Sequence, residues 1–134
     1  MAFGRRIYRM EVINKARELA EEILKTPEYA RMTEAQEAVD IDEEATALLQ
    51  DMELLQQEYI RSAREGAHED ELSELEDILK SKHSELMEYE PTAHLIRSKG
   101  AFDRLIAMIN KEITTGITGS GCSTDDCAGC SGCN

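Results

Sequence analysis

Apolar residues follow one another at steps of three and four along this chain to about residue 115, and only two prolines, Pro27 and Pro91, interrupt them. A repeat of 3.6 residues marks amphipathic helices, and a sequence that keeps it so long with so few breakers leaves little room for strands. Val12, Ile13, Ala16, Leu19, Ala20, Ile23 and Leu24 fall on one side of a first helix, predicted from about Tyr8 to Lys25. Thr26 and Pro27 end it and open the next, with Thr26 as N-cap and Pro27 at the first helical position, where a missing N–H costs nothing. Tyr29, Met32, Ala35, Ala38 and Val39 give that second helix a thinner apolar face.

Asp40-Ile41-Asp42-Glu43-Glu44 then supplies a cap and first-turn acids, both favourable at the positive end of a helix. The third helix carries Ala45, Leu48, Leu49, Met52, Leu55, Tyr59, Ile60 and Ala63 through about Arg64, with Gly66 just past its end. A fourth, from about Asp70 to Tyr89, carries Leu72, Leu75, Ile78, Leu79, Leu86 and Met87, with His83 expected at the edge of the core. The short turn between them predicts an antiparallel hairpin. Pro91 restarts the chain in a fifth helix marked by Leu95, Ile96, Phe102, Leu105, Ile106, Ile109 and Ile113, ending near Thr115. Gly100 in its middle implies either a close backbone approach or a kink. The expected fold is all-α, an antiparallel bundle of about five helices over residues 1–115, two long helices forming a hairpin.

Charge narrows the partners. Fifteen Lys and Arg against 28 Asp and Glu give a formal net charge of -13, which repels nucleic acid and anionic lipid. Aromatic residues are 4% with no Trp, too few for the stacking platforms of RRM or OB modules. The twin Arg5-Arg6 lacks an apolar run of signal length behind it, because Glu11, Asn14 and Lys15 intervene. No stretch nears the ~20 apolar residues of a membrane span. The expectation is a cytoplasmic protein with reduced thiols, free of direct nucleic-acid or membrane binding.

From Thr114 onward the composition changes. Thr114-Thr115-Gly116-Ile117-Thr118-Gly119-Ser120-Gly121 reads as a linker, and all four cysteines fall in the following stretch, so residues 116–134 are expected to be a flexible Gly-rich linker with a cysteine-rich metal-binding tail. Glycines and small polar residues offer too little area to offset the entropy of ordering, whereas a bound metal centre would supply that free energy. The spacing is C-x4-C-x2-C-x2-C through Cys122, Cys127, Cys130 and Cys133. Disulfides suit a reduced compartment poorly. Zinc accepts four thiolates tetrahedrally, but its sites usually separate two Cys-x2-Cys knuckles by a hairpin or helix. An iron–sulfur cluster of the 4Fe-4S type suits consecutive thiolates on one short loop, with Gly129 and Gly132 letting the backbone turn and Ser123, Thr124 and Ser131 able to donate to sulfur. Cys127 to Cys133 matches the first part of a bacterial ferredoxin run, whose further cysteine and proline do not follow here. The spacing favours iron–sulfur, with zinc and free or redox-active thiols as the alternatives.

Elsewhere the chemistry is sparse. His68, His83 and His94 are not paired at ligand spacing, no nucleophile stands beside a base, and acid runs such as Glu69-Asp70-Glu71 read as solvated helix faces rather than a di-iron centre. Arg5, Arg6 and Arg9 either meet an acidic partner or keep that end soluble, and solubility is the simpler reading.

Ile13-x-Lys15-Ala16-x-x-Leu19-Ala20-x-x-Ile23, then Thr26-Pro27-Glu28-Tyr29, Ala35, Ala45, Leu48-Leu49 and Met87-x-Tyr89, resembles the small helical bacterial regulators of the YlbF/YmcA type over about Ile7 to Ile113. Ser98-Lys99-Gly100-Ala101 departs from the regular helical stretch of that pattern. The resemblance implies a non-catalytic protein that assembles as a homo-oligomer, or as a hetero-complex with related helical subunits and a PSP1-type protein. It also implies a role in competence, sporulation or biofilm control, linked to endoribonuclease-dependent RNA processing. Some such members carry a cysteine-bearing tail implicated in iron–sulfur binding, which maps here onto Cys122, Cys127, Cys130 and Cys133. The expected function is thus a regulatory adaptor. A zinc-binding structural protein, an electron-transfer subunit and a metal-delivery subunit are the alternatives.

Overall fold

The computed structural model describes residues 2–119, which form five helices and no strand. They are α1 (Ala2–Leu24), α2 (Pro27–Asp40), α3 (Glu43–Arg64), α4 (Glu69–Glu88) and α5 (Glu90–Thr118). The boundaries are set by local chemistry. The Thr26 hydroxyl donates to the Ile23 carbonyl at 2.6 Å and accepts from the Tyr29 N–H at 3.3 Å, so one side chain closes α1 and caps α2. The Asp42 carboxylate accepts from the Ala45 N–H at 3.0 Å and caps α3. At the other end of α3, Gly66 takes φ 74°. The Ala67 N–H reaches back to Ser62 and the Gly66 N–H to Ala63, the paired bonds of a Schellman end. His68, whose Nδ1 accepts from the Asp70 N–H at 3.3 Å, caps α4 in a role its sequence context did not announce.

Helices α3 and α4 form the expected antiparallel hairpin, tied by the Tyr59 hydroxyl donating to Glu76 at 2.9 Å and by Lys82 lying 3.6 Å from Asp51. The most extensive packing, however, joins α2 to α5. Ala35 and Val39 of α2 meet Leu95 of α5 and Ala45 of α3 in one buried cluster, with Leu49 and Tyr89 packed against it. Tyr29 and Phe102 extend the same seam, ring centroids 5.8 Å apart. The alanines let the helices approach closely but add little apolar area of their own. Among the described residues only Ala35, Val39, Ala45, Leu86, Ala93 and Leu95 are buried apolar side chains, a small core for five helices.

Three expectations change. Helix α5 does not stop near Thr115 but runs through Gly116 to Thr118, where Gly119 at φ 66° ends it. The linker-like Thr114–Thr118 stretch is therefore helical. Ser98–Ala101 lies inside the uninterrupted α5, and a Cβ built on Gly100 would meet only the Arg104 guanidinium at 3.5 Å. Among the described residues, no backbone of another helix comes within 4 Å of that Cβ. His83, placed at the core edge by its position between Leu79 and Leu86, is exposed, because α4 turns that side to solvent.

Candidate docking surface on helices one and five

At 100° per residue, the apolar residues of α1 from Met10 to Leu24 cover an arc of roughly 180°, while the stripe that seats a surface helix on one core is nearer ~100°. The wider arc is built for more than one neighbour. Yet every residue from 4 to 22 is exposed, and α1 packs against α2 alone among the described helices. Met10 is 60% exposed, Val12 66% and Ile13 48%. The last turns of α5 repeat the pattern, with Met108, Ile113 and Ile117 all exposed. Between the two helices lies an open groove of about 550 Å³, with Leu19 on one wall and Leu105, Met108, Ile109 and Ile113 on the other, and Lys111 and Glu112 at its rim. Several half-exposed aliphatic side chains together leave apolar surface on the order of several hundred Å² uncovered, the scale at which patches mark interaction sites.

The shifted titrations lie away from this groove and follow from local pairing. Asp42 is held below its ordinary range, first by the Ala45 N–H and then by the Tyr89 hydroxyl, which donates to it at 2.7 Å. The same bond, with partial burial and the nearby carboxylate charge, pushes Tyr89 up to about 12. Tyr59 is raised by its bond to Glu76, Arg61 by Glu58, and Lys82 chiefly by Glu85 at 2.7 Å. Each of these pairs fixes one helix to itself or to its neighbour, and none is set beside a nucleophile.

Cys122, Cys127, Cys130 and Cys133 lie outside the described residues. Four thiolates are a donor set suited to iron–sulfur ligation and equally acceptable to zinc. Among the described residues no group of three His, Cys, Asp or Glu could hold a metal ion. A Glu-x-x-His spacing does occur at Glu65 and His68, but the left-handed Gly66 between them breaks the helix that a di-iron site would need. Nor is any described helix long and apolar enough to cross a membrane. Sequence reading gave partner docking to the helices and a cluster to the cysteines, without singling out the α1–α5 face. The signal was there, in an apolar arc on the first helix too wide for a single contact.

The comparisons bear on this arrangement. The family described as control of competence regulator ComK, YlbF/YmcA, matches residues 12–118, a span that takes in most of α1 and the whole of α5. The UPF0342 protein DSY1594 of Desulfitobacterium hafniense (strain Y51) is 30% identical over 128 residues, covering 92% of this chain and 94% of that protein. Among solved structures, the X-ray crystal structure of Bacillus subtilis RicA in complex with RicF superposes with a TM-score of 0.63 over 81% of this chain and 95% of that one, at 19% identity, a likeness of fold. With the family pattern spanning all five helices and a full-length relative beside it, this chain belongs to the YlbF/YmcA family.

Proposed function

We propose that this protein is a non-catalytic, cytoplasmic regulatory adaptor that docks helical partner proteins on the α1–α5 face and carries an iron–sulfur cluster on Cys122, Cys127, Cys130 and Cys133. The observation that carries the reading is the uncovered apolar surface: Leu19, Met108 and Ile113 line a groove that no described part of the chain fills. Membership of a family of competence regulators supports a regulatory role, and the likeness in fold to RicA, solved in complex with RicF, supports protein partners. Such partners are related helical subunits and a PSP1-type protein, and the regulated process is developmental gene expression or RNA processing. A cluster at the four thiolates would supply oxygen- and redox-sensitive chemistry. The protein's own contribution is the docking surface and the ligands.

The test is an anaerobic pull-down of the intact protein beside a version truncated after Gly121 and a Met108→Asp, Ile113→Asp variant, each scored for iron, labile sulfide and bound proteins. Truncation, or Cys127→Ala or Cys130→Ala, is expected to remove iron and sulfide while the far-UV helical signal stays nearly intact. The groove variant is expected to lose partners and keep its iron. Colourless protein with stoichiometric zinc and no sulfide would reassign the thiolates to a structural zinc site, and partner capture unaffected by the groove variant would remove the docking role.

A further inference from the structure

Basic charge is gathered at one end of an otherwise acidic chain. Residues 2–17 carry Arg5, Arg6, Arg9, Lys15 and Arg17 against Glu11 alone, although the whole chain stands at -13. An α-helix nearly repeats its direction every seven residues, with a drift of about 20°. Arg5 therefore stands one heptad before Val12 and two before Leu19, Arg6 likewise before Ile13 and Ala20, and Arg9 before Ala16 and Ile23. All three arginines continue apolar lines, while Glu11, Glu18, Glu21 and Glu22 fall on the other side of α1. Solubility does not account for this placement. Charge added for solubility belongs on the polar back, and in a chain of -13 an arginine lowers the net charge that keeps copies apart.

We propose that the arginine end of α1 selects the occupant of the docking face: an amphipathic helix of another protein whose apolar stripe runs into carboxylates at one end. This rests on reading α1 and α5 as a docking surface. Residues 4–22 are all exposed, and Arg5, Arg6 and Arg9 have no acidic partner among the described residues. Elsewhere Arg61 and Arg97 are paired, with Glu58 at 2.6 Å and Glu90 at 2.8 Å. Leu19, which lines the groove with α5, ends the line that Arg5 begins. An apolar stripe seated at Leu19 reaches Arg5 about 21 Å further along α1, at ~1.5 Å per residue.

Other anionic surfaces fit less well. A helix lying on anionic lipid carries its Lys and Arg on the polar face, whereas that face of α1 holds glutamates. Single-stranded nucleic acid is held by stacking on aromatic rings as well as through its phosphates, and α1 has only Phe3 and Tyr8 to offer. A protein helix supplies both halves at once. Its apolar anchors at i, i+3, i+4 and i+7 suit the seam, and its carboxylates suit the planar fork of guanidinium. The rest of this acidic chain repels carboxylates, so charge also fixes which end of the incoming helix points towards Arg5.

Fluorescence anisotropy with the full-length protein and labelled synthetic helices tests this. The probes share one apolar stripe and differ only in whether glutamate, glutamine or lysine continues that stripe, at the first turns in one set and at the last turns in the other. One glutamate peptide is expected to bind at least about tenfold more tightly than its glutamine and lysine counterparts at low salt, with the difference shrinking as salt is raised. Replacing Arg5→Glu, Arg6→Glu and Arg9→Glu together should reverse the preference towards the lysine peptide, leave the glutamine peptide unchanged, and keep the helicity seen by circular dichroism. Equal affinity for the three peptides, or a glutamate preference that survives the triple reversal, would overturn the proposal. So would tighter binding of phosphatidylglycerol vesicles or of polyuridylate than of any peptide. A glutamine peptide that binds as well as glutamate and is lost with Met108→Asp, Ile113→Asp would sink charge selection alone and leave the docking role standing.

Discussion

Replacing Thr92 with valine removes a hydroxyl and leaves the side-chain shape nearly unchanged, at a residue with no exposed surface where α4 passes into α5. That hydroxyl donates to the carbonyl of Leu86 and lies 2.9 Å from that of Tyr89. The Leu86 carbonyl belongs to the last turn of α4, whose acceptors have no partner within the helix. Among the described residues no other side chain caps this junction, since Tyr89 makes no capping bond to α5. Losing the bond and stranding a buried acceptor should destabilise the fold by about 2 kcal/mol. Thr92→Ser keeps the hydroxyl and deletes one methyl group, for about 1 kcal/mol. At about 4 °C per kcal/mol for a chain of this length, valine should lower the melting temperature by about 8 °C and serine by about half that. Thermal melts followed at 222 nm, with urea midpoints at unchanged slope, read both. Valine as stable as serine, or more stable, would refute the assignment of the hydroxyl as the clamp on this junction.

Glycine positions give opposite signs in the same melts. Gly100→Ala and Gly116→Ala sit inside α5 with room for a Cβ, so each should stabilise by about 0.4–1 kcal/mol. Gly66→Ala meets nothing within 4 Å but must hold φ 74°, and should destabilise by about 1–2 kcal/mol from backbone conformation alone. Acid and alkali should each expose one partner of the Asp42–Tyr89 bond. Asp42 is depressed in the folded state, so its contribution is complete above the ordinary carboxylate range, beginning near 3.8, and is lost as pH falls through the folded value. An Asp42→Asn variant should lose stability less steeply on acidification, read by pH-dependent melts. Tyr89 is raised from 10.0 to about 12, so its contribution is complete below pH 10 and is lost as pH climbs to about 12. Tyrosinate absorbance should show a late step that Tyr89→Phe abolishes.

Much of the fold is legible in the residues because helix formation is a matter of neighbours. The Thr26-Pro27 break, the Asp42 cap and the Gly66 stop act over one turn, and the structure realises each of them. The α3–α4 hairpin follows from the short connection between two apolar-periodic segments. Where composition misled, the competing energies were small. Thr114–Thr118 has the threonine and glycine of a linker, but each lowers helix stability by at most about 1 kcal/mol, and α5 continues across them. The cysteine spacing suggests a ligand set from sequence alone, and those residues lie outside the described ones.

What periodicity alone does not decide is which surface covers which. The 3.6-residue step marks the apolar side of α1 and α5, but that α5 packs on α2, α4 and α3 while its last turns and nearly all of α1 stay exposed is a property of the packed helices. The reason is that burial depends on contacts between residues far apart in the chain, whose pairing is set by helix lengths, turn geometry and the small alanine core, none of which is written in the local repeat.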